Sequence, residues 1–93
     1  MDYPTAFTRN LGVLDREQQA RLQRSHVLVV GCGGVGGTVA VALARTGVGA
    51  FTLVDFDEFE PSNLNRQIGC SRETLGQNKA EVLADHLRSV APD

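Results

Sequence analysis

Glycines at positions 31, 33 and 36 form a G-x-G-x-x-G pattern. Gly31 permits a tight turn, Gly33 lets the backbone approach a phosphate, and Gly36 lets the following helix pack on a sheet. The start of that helix offers unpaired amides to an anion. Asp55 follows Gly36 by nineteen residues, about where a carboxylate that binds ribose is expected. These residues predict a nucleotide-binding site.

Two cations beyond Asp55 could hold phosphates. Arg66 can grip phosphate oxygens in a bidentate fork, and Lys79 can act as a point charge. Cations at this place would balance the negative charge of a bound phosphate group. Two other interpretations stay open: Arg66 pairs with the acidic loop at 55–60, or Lys79 is a solvated lysine paired with Glu73 or Glu81.

Apolar patterning predicts the elements that position these residues. Strands are predicted at 26–30 and 50–54, with a helix over 37–46 between them. Asp15 and Gln18 form a capping-box pattern for a helix that ends near residue 24. A last amphipathic helix begins near 76–79, runs to about residue 90 and is stopped by Pro92. Residues 1–14 are predicted to be irregular, and 63–67 to hold a helical turn.

The order of these elements predicts an α/β fold, a Rossmann-like parallel sheet with flanking helices. The two strands are expected to be parallel and joined by a right-handed crossover. A doubly wound sheet has more strands than the two predicted here. Residues 1–93 are therefore interpreted as the N-terminal nucleotide-binding part (βαβα plus an N-terminal helix) of a larger doubly wound domain, with the remainder absent.

Composition narrows the function classes. The net charge is −2 and no basic stripe carries interleaved aromatic residues, so no nucleic-acid ligand is expected. No apolar run is long enough to span a membrane, and the N-terminus lacks a signal-peptide pattern. Cys32 and Cys70 are expected to be reduced thiols rather than a metal site or a nucleophile. A cytoplasmic protein is expected.

Four ordered motifs carry a more specific signal. They are G-x-G-G-x-G at 31–36, V-D-x-D at 54–57, S-N-L-x-R-Q at 62–67 and G-x-x-K at 76–79. With this set the sequence resembles the ThiF, MoeB and HesA group of adenylating enzymes, which are related to eukaryotic E1 enzymes. Arg9 and Asn10 lie where that family carries an Arg-Gln or Arg-Asn pair. The resemblance covers essentially all 93 residues.

The resemblance implies a role for each matching residue. Asp55 would accept hydrogen bonds from the ribose, and Arg66 and Lys79 would act catalytically on the phosphates. Arg9 would be a third catalytic cation, which reaches across a homodimer interface to the ATP of the partner. The nucleotide-binding positions implied are Gly31, Gly33, Gly34, Gly36, Asp55, Asp57, Ser62, Asn63, Leu64, Asn65, Arg66 and Lys79.

The resemblance also implies a reaction, in which a protein's C-terminal carboxylate attacks the α-phosphate of Mg-ATP. The products would be an acyl-adenylate and pyrophosphate, and the partner a ubiquitin-like or sulfur-carrier protein. The family's Mg²⁺-binding aspartate has no counterpart in these residues and is expected outside them. A zinc site, where the family has one, is also expected outside them.

Two alternatives remain at this stage. An NAD(P)-dependent oxidoreductase would explain the glycines and Asp55 equally well, but it does not call for cations at Arg66 and Lys79. A non-catalytic nucleotide-binding or dimerisation module is the other alternative.

Overall fold

The computed structural model describes residues 1–92. Within that range the elements are α1 (Tyr3–Ala6), α2 (Arg16–Arg24), β1 (His26–Val30), α3 (Gly34–Thr46), β2 (Ala50–Val54) and α4 (Lys79–Val90). Short 3-10 turns at Thr8–Asn10 and Pro61–Asn63 connect them. The α/β class predicted from the sequence is confirmed.

The two strands pair in parallel, with His26 opposite Ala50 and Val30 opposite Val54. Because the pairing is parallel, both strands end at the same edge of the sheet. The Gly31 turn and Asp55 directly follow these two ends, so the sheet brings the glycine pattern and the carboxylate together. This is the arrangement that the motif spacing predicted.

One face of the sheet packs against α3 and α4. Alternate residues of each strand share this face, as the period of two in a strand requires. Burial of their apolar side chains is the main stabilising contribution to this part of the fold. The core consists of Val29, Cys32, Ala40, Val41, Ala44, Leu83 and Leu87, with Val27, Phe51 and Leu53 packed against it.

The other face of the sheet is open within residues 1–92. Leu28 is 62% exposed and Val30 is 73% exposed, and both lie on β1. No helix within the described residues is long and apolar enough to cross a lipid bilayer.

Helix ends follow the predicted capping chemistry. The Asp15 side chain accepts a hydrogen bond from the Gln18 amide at 2.8 Å, and the Gln18 side chain accepts one from the Asp15 amide at 2.9 Å. This reciprocal pair is the predicted capping box. At the other end of the chain α4 stops at Val90, and Ala91 is extended because it precedes Pro92.

Two predictions about element boundaries were wrong. Residues 1–14 contain α1, which Asp2 caps by accepting from the Thr5 amide, and the turn at Thr8–Asn10. Helix α3 starts at Gly34 rather than at 37. The helical turn predicted at 63–67 is confirmed, because the Gln67 amide donates to the Asn63 carbonyl at 2.9 Å; a 3-10 turn at Pro61–Asn63 precedes it.

Candidate functional site

The glycine turn joins β1 to α3 in a very confined space. Gly31 has φ +92°, a conformation that favours glycine, and its amide donates to the Val54 carbonyl at 2.8 Å. A Cβ at Gly36 would overlap the Gly31 carbonyl. Gly36 is therefore required because helix α3 crosses the turn at backbone contact distance.

The start of α3 is equipped to bind an anion. Its first intrahelical bond runs from the Gly37 amide to the Gly33 carbonyl at 2.9 Å, so the amides of Gly34, Val35 and Gly36 precede the helical ladder. No side chain caps this end, because the N-cap residue is Gly33. A Cβ on Gly34 would meet no atom within 4 Å, so the space beside this residue is open.

Gln67 lies against the turn and was not predicted as a site residue. It is 8% exposed, and its side-chain amide lies 2.9–3.2 Å from the position of a Cβ on Gly33. Its Oε1 is the one buried side-chain oxygen or nitrogen within residues 1–92 that lacks a hydrogen-bond partner. The lack of a side chain on Gly33 therefore leaves room for the side-chain amide of Gln67.

Asp55 shapes the same turn from the second strand. Its Oδ2 accepts from the Cys32 amide at 2.7 Å, and its Oδ1 accepts from the Asp57 amide at 2.8 Å. A carboxylate has about four acceptor positions, so both oxygens can still accept from ribose hydroxyls. Asp55 is therefore a turn residue in this structure, and its role towards ribose stays a prediction.

Burial and the Asp55 charge act together on the Cys32 thiol. Cys32 is 2% exposed, and this burial raises its pKa because the thiolate is poorly solvated. The Asp55 carboxylate raises the pKa further by repelling the thiolate, while a weak bond to the Val54 carbonyl opposes the shift. Cys32 and Cys70 are both free and buried, in agreement with the predicted reduced thiols.

Lys79, the first residue of α4, is 8% exposed and therefore buried. Its Nζ lies 5.8 Å from the centre of the Phe59 ring, within the range of a cation–π contact. Its side chain has no hydrogen bond or ion pair within residues 1–92. The alternative that Lys79 is a solvated lysine paired with Glu73 or Glu81 was wrong.

Asn78 fixes the start of α4 beside the strand end, and sequence reasoning did not single it out. Its Oδ1 caps α4 by accepting from the Glu81 amide at 3.0 Å, and its Nδ2 donates to the Asp55 carbonyl at 3.0 Å. The Lys79 amide donates to the Asp57 carbonyl at 2.9 Å. The signal for Asn78 was its residue type, since asparagine is a strong N-cap.

Arg66 is exposed, and its guanidinium folds back onto its own turn. Nη1 donates to the Ser62 carbonyl at 3.0 Å and to Asn65 Oδ1 at 3.1 Å. Its side chain makes no ion pair with the acidic loop at 55–60 in the part of the chain that is described, so that alternative was wrong. Ser62, Leu64 and Asn65 are exposed with it.

Asn63 is the buried member of the predicted 62–66 segment, at 7% exposure. Its Oδ1 accepts from the Glu60 amide at 2.8 Å, whereas its Nδ2 makes no hydrogen bond within residues 1–92. The amide nitrogen is a donor that a ligand oxygen could use.

Arg9 lies at the opposite end of α3 from the glycine turn. The neighbouring Asn10 donates from its Nδ2 to the carbonyl of Thr46 at 2.9 Å, and Thr46 is the last residue of α3. From Gly34 to Thr46 the helix rises by about 18 Å, which is farther than an arginine side chain reaches. Arg9 cannot therefore contact phosphates at the glycine turn of its own chain. Its side chain is exposed.

Within residues 1–92 no three His, Cys, Asp or Glu side chains are grouped so that they could hold a metal ion. The structure thus brings together the amides at the start of α3, a carboxylate after the second strand and the start of α4 with Lys79, whereas Arg66 is bonded within its own turn. This strand, glycine turn, helix and strand arrangement defines a Rossmann-like nucleotide-binding domain.

Comparison with known proteins gives the family. Residues 7–93 match the ThiF family, and the chain belongs to that family. It is 51% identical over 69 residues to the tRNA threonylcarbamoyladenosine dehydratase of Escherichia coli (strain K12), which covers 74% of this chain and 26% of that protein. It is 46% identical over 78 residues to the molybdopterin-synthase adenylyltransferase of Salmonella typhimurium, covering 84% of this chain and 31% of that protein.

Solved structures show the same fold. The E. coli tRNA N6-threonylcarbamoyladenosine dehydratase, TcdA, in complex with ATP superposes with a TM-score of 0.90 at 40% identity, covering 94% of this chain and 36% of that one. E. coli MccB with ATP gives a TM-score of 0.83 at 34% identity, covering 91% and 27%. The chain spans about a quarter to a third of the length of the curated relatives first matched. The family and these relatives favour an adenylating enzyme over the NAD(P)-dependent oxidoreductase alternative.

Proposed function

We propose that this chain is the ATP-binding part of an enzyme that transfers the adenylyl group of ATP to a carboxylate. The observation that carries the proposal is Lys79, whose residue is only 8% exposed and whose side chain has no ion pair in residues 1–92, at the start of α4 beside the strand ends. A largely buried lysine without an anionic partner is uncommon, and a phosphate at this edge of the sheet would provide that partner. The ATP-bound relatives support the identity of the anion.

Each residue of the proposed site has a separate role towards ATP. The amides at the start of α3 bind phosphate oxygens, and Asp55 accepts from the ribose hydroxyls. Lys79 and Arg66 stabilise the charge that develops as pyrophosphate leaves. Arg66 uses its Nη1 within its own turn, which leaves donors of the guanidinium for phosphate. Asn63 offers its Nδ2 to the same oxygens. The other binding positions keep the roles that the resemblance implies.

The reaction supplies an activated acyl group. A carboxylate oxygen forms a bond to the α-phosphorus while the bond to the β-bridging oxygen breaks, and the electron pair leaves with pyrophosphate. The product is an acyl-adenylate. Mg²⁺ is proposed to accompany ATP, with its aspartate ligand outside residues 1–93. A zinc site outside them is also proposed.

Arg9 completes the cation set only from a second copy of the chain. The length of α3 excludes a contact within one chain, whereas a partner that faces the glycine turn could supply its own Arg9. We therefore propose a homodimer in which each copy contributes Arg9 to the other site.

The favoured substrate is the C-terminal carboxylate of a ubiquitin-like or sulfur-carrier protein. The similarity to a molybdopterin-synthase adenylyltransferase supports a protein substrate. A second candidate is a carboxylate borne by tRNA, because a threonylcarbamoyl group also carries one and the 51% identical relative is named for that group. The net charge of −2 favours the protein substrate over nucleic acid. We also propose a cytoplasmic location, because Cys32 and Cys70 are both free thiols.

Pyrophosphate exchange into ATP tests the proposal on the full-length protein. Exchange that depends on a carrier protein ending in glycine supports the favoured substrate, and exchange that depends only on threonylcarbamoyladenosine-containing tRNA supports the second. Calorimetric titration with ATP and with NADH accompanies the assay. ATP binding with no exchange for either substrate would identify a non-catalytic nucleotide-binding module, and tighter NADH binding would refute the ATP site.

A further inference from the structure

Three polar side chains from the N-terminal segment converge on the far end of α3. Asn10 Nδ2 donates to the Thr46 carbonyl and to Gln19 Oε1, both at 2.9 Å. Gln19 Nε2 donates to the Thr46 carbonyl and to the Tyr3 hydroxyl, both at 3.0 Å. Tyr3 in turn donates to the Gly47 carbonyl at 2.5 Å. We call Tyr3, Asn10 and Gln19 the helix-end clamp.

The donors of the clamp are all used, and its side chains are tightly fitted. Both hydrogens of each amide are bonded, and the Thr46 carbonyl, which both amides bind, is one that a helix end leaves without an intrahelical partner. Gln19 is 7% exposed, so the network lies partly out of water, where such bonds are stronger. A Cβ on Gly47 would overlap the Gln19 amide. The segment is thereby held in one place on α3.

Arg9 is the residue that the clamp leaves free. It lies in the 3-10 turn Thr8–Asn10, directly before Asn10, whose side chain is bonded to α2 and α3. The Arg9 side chain itself is exposed and makes no hydrogen bond or ion pair within residues 1–92. An exposed arginine on a fixed backbone loses less conformational freedom when it binds than one on a loose terminus.

We propose that Asn10, as part of the helix-end clamp, is a positioning residue that holds Arg9 for the phosphates bound by a second copy of the chain. This inference rests on the proposed function and gives Asn10 a role of its own, whereas the resemblance implies a role only for Arg9. Asn10 acts only through Arg9 and touches neither ATP nor the substrate. Loss of the clamp therefore affects the partner's site and leaves the glycine turn of its own chain intact.

A double-mutant cycle on the full-length protein tests the coupling. Asn10→Ala and Arg9→Ala are each expected to lower the exchange rate by about tenfold, since misplacing a catalytic group costs this much or more. The double variant is expected to be no slower than Arg9→Ala alone. Thr8→Ala, which alters only a local bond to the Pro4 carbonyl, is the matched control and keeps the parent rate.

Mixed dimers separate positioning from a merely structural role. Asn10→Ala protomers are combined with Lys79→Met protomers, which have a damaged site but an intact clamp. Activity recovered above that of either variant alone supports action across the interface. Three outcomes overturn the inference while adenylation as the proposed function stands. They are mixed dimers that recover no activity, losses of exchange rate that add in the double variant, and an Arg9→Ala variant at the parent rate. If Asn10→Ala does not fold, Asn10→Asp, which removes the donor and keeps the size, replaces it. Absence of exchange in the parent protein refutes the proposed function and the inference together.

Discussion

The Asp55 carboxylate accepts a hydrogen bond from the Cys32 amide at 2.7 Å, so the end of β2 holds the turn that follows β1. The acidic residue and the glycine pattern are thus parts of one structure before any ligand binds. A ligand that used both would find them already placed relative to each other, which lowers the entropic cost of binding.

We expect Asp55→Ala in the full-length protein to raise the KM for ATP about tenfold and to change kcat little, because ribose contacts change little during the reaction. The same variant leaves the Cys32 amide without its acceptor, so the free energy of unfolding falls by about 1–3 kcal/mol. Steady-state exchange kinetics and denaturant titration measure the two effects. The exposed residue Asp85 provides the control variant Asp85→Ala. An unchanged KM contradicts the ribose role.

We expect Arg66→Ala to lower the adenylation rate at least tenfold. One charge contact made in the transition state contributes a few kcal/mol, about 3 in comparable cases. The exposed neighbour Arg72 gives a charge-matched control, and Arg72→Ala should keep the parent rate. Pyrophosphate exchange measures both. Equal rates for the two variants would place Arg66 among ordinary surface arginines.

Lys79→Met is expected to lower the adenylation rate at least tenfold while the protein stays folded. Methionine preserves an apolar chain beside Phe59 and removes only the charge, so the thermal midpoint should not fall. Exchange kinetics and a thermal melt are compared on the same preparation. A Lys79→Met variant with a normal adenylation rate would show that the Lys79 side chain serves the fold and not the phosphates.

Gly36→Ala and Gly34→Ala are matched substitutions in the same turn of helix. The first places a methyl group on the Gly31 carbonyl and should lower the free energy of unfolding by about 1–3 kcal/mol or more. The second faces open space and should be neutral or slightly stabilising, because alanine is the better helix former. Urea titration of both variants gives the comparison, and equal destabilisation contradicts the packing argument.

The raised pKa of Cys32 predicts slow alkylation. The thiolate is the reactive form, and burial together with the Asp55 charge keeps the proton on the sulfur in the folded protein. The unfolded chain loses this proton at lower pH, so the thiol's contribution to stability is present below its ordinary pKa and is lost as pH rises through the folded value. The alkylation rate of Cys32 is measured by iodoacetamide labelling at pH 8, with and without denaturant, and read by peptide mass spectrometry. Rapid labelling of the native protein contradicts the prediction.

The sequence predicted an element correctly wherever the local residue pattern and the packing of that element in the fold agreed. Short apolar runs located both strands, and the Asp15–Gln18 pattern located the start of α2. The start of α3 was misplaced because glycines have low helix propensity, whereas the close approach of helix α3 to the Gly31 carbonyl explains why a glycine stands at position 36.

Side-chain environments were the part that the sequence left open. Lys79 and Arg66 matched the same motif set, yet Lys79 is buried beside Phe59 and Arg66 is exposed. The positions of Gln67 and Asn10 depend on contacts with residues 34 and 36 positions away in the chain. Such long-range placement has no periodic signature in a single sequence.

Lys79 is the single lysine among these 93 residues; the other eight basic side chains are arginines. The chain therefore carries one ε-amine, and that amine begins α4 beside the strand ends. An amine-acylating reagent built on a nucleotide would find one target side chain in this part of the protein. Covalent labelling there, with ATP as the competitor, would report occupancy of the site without any substitution.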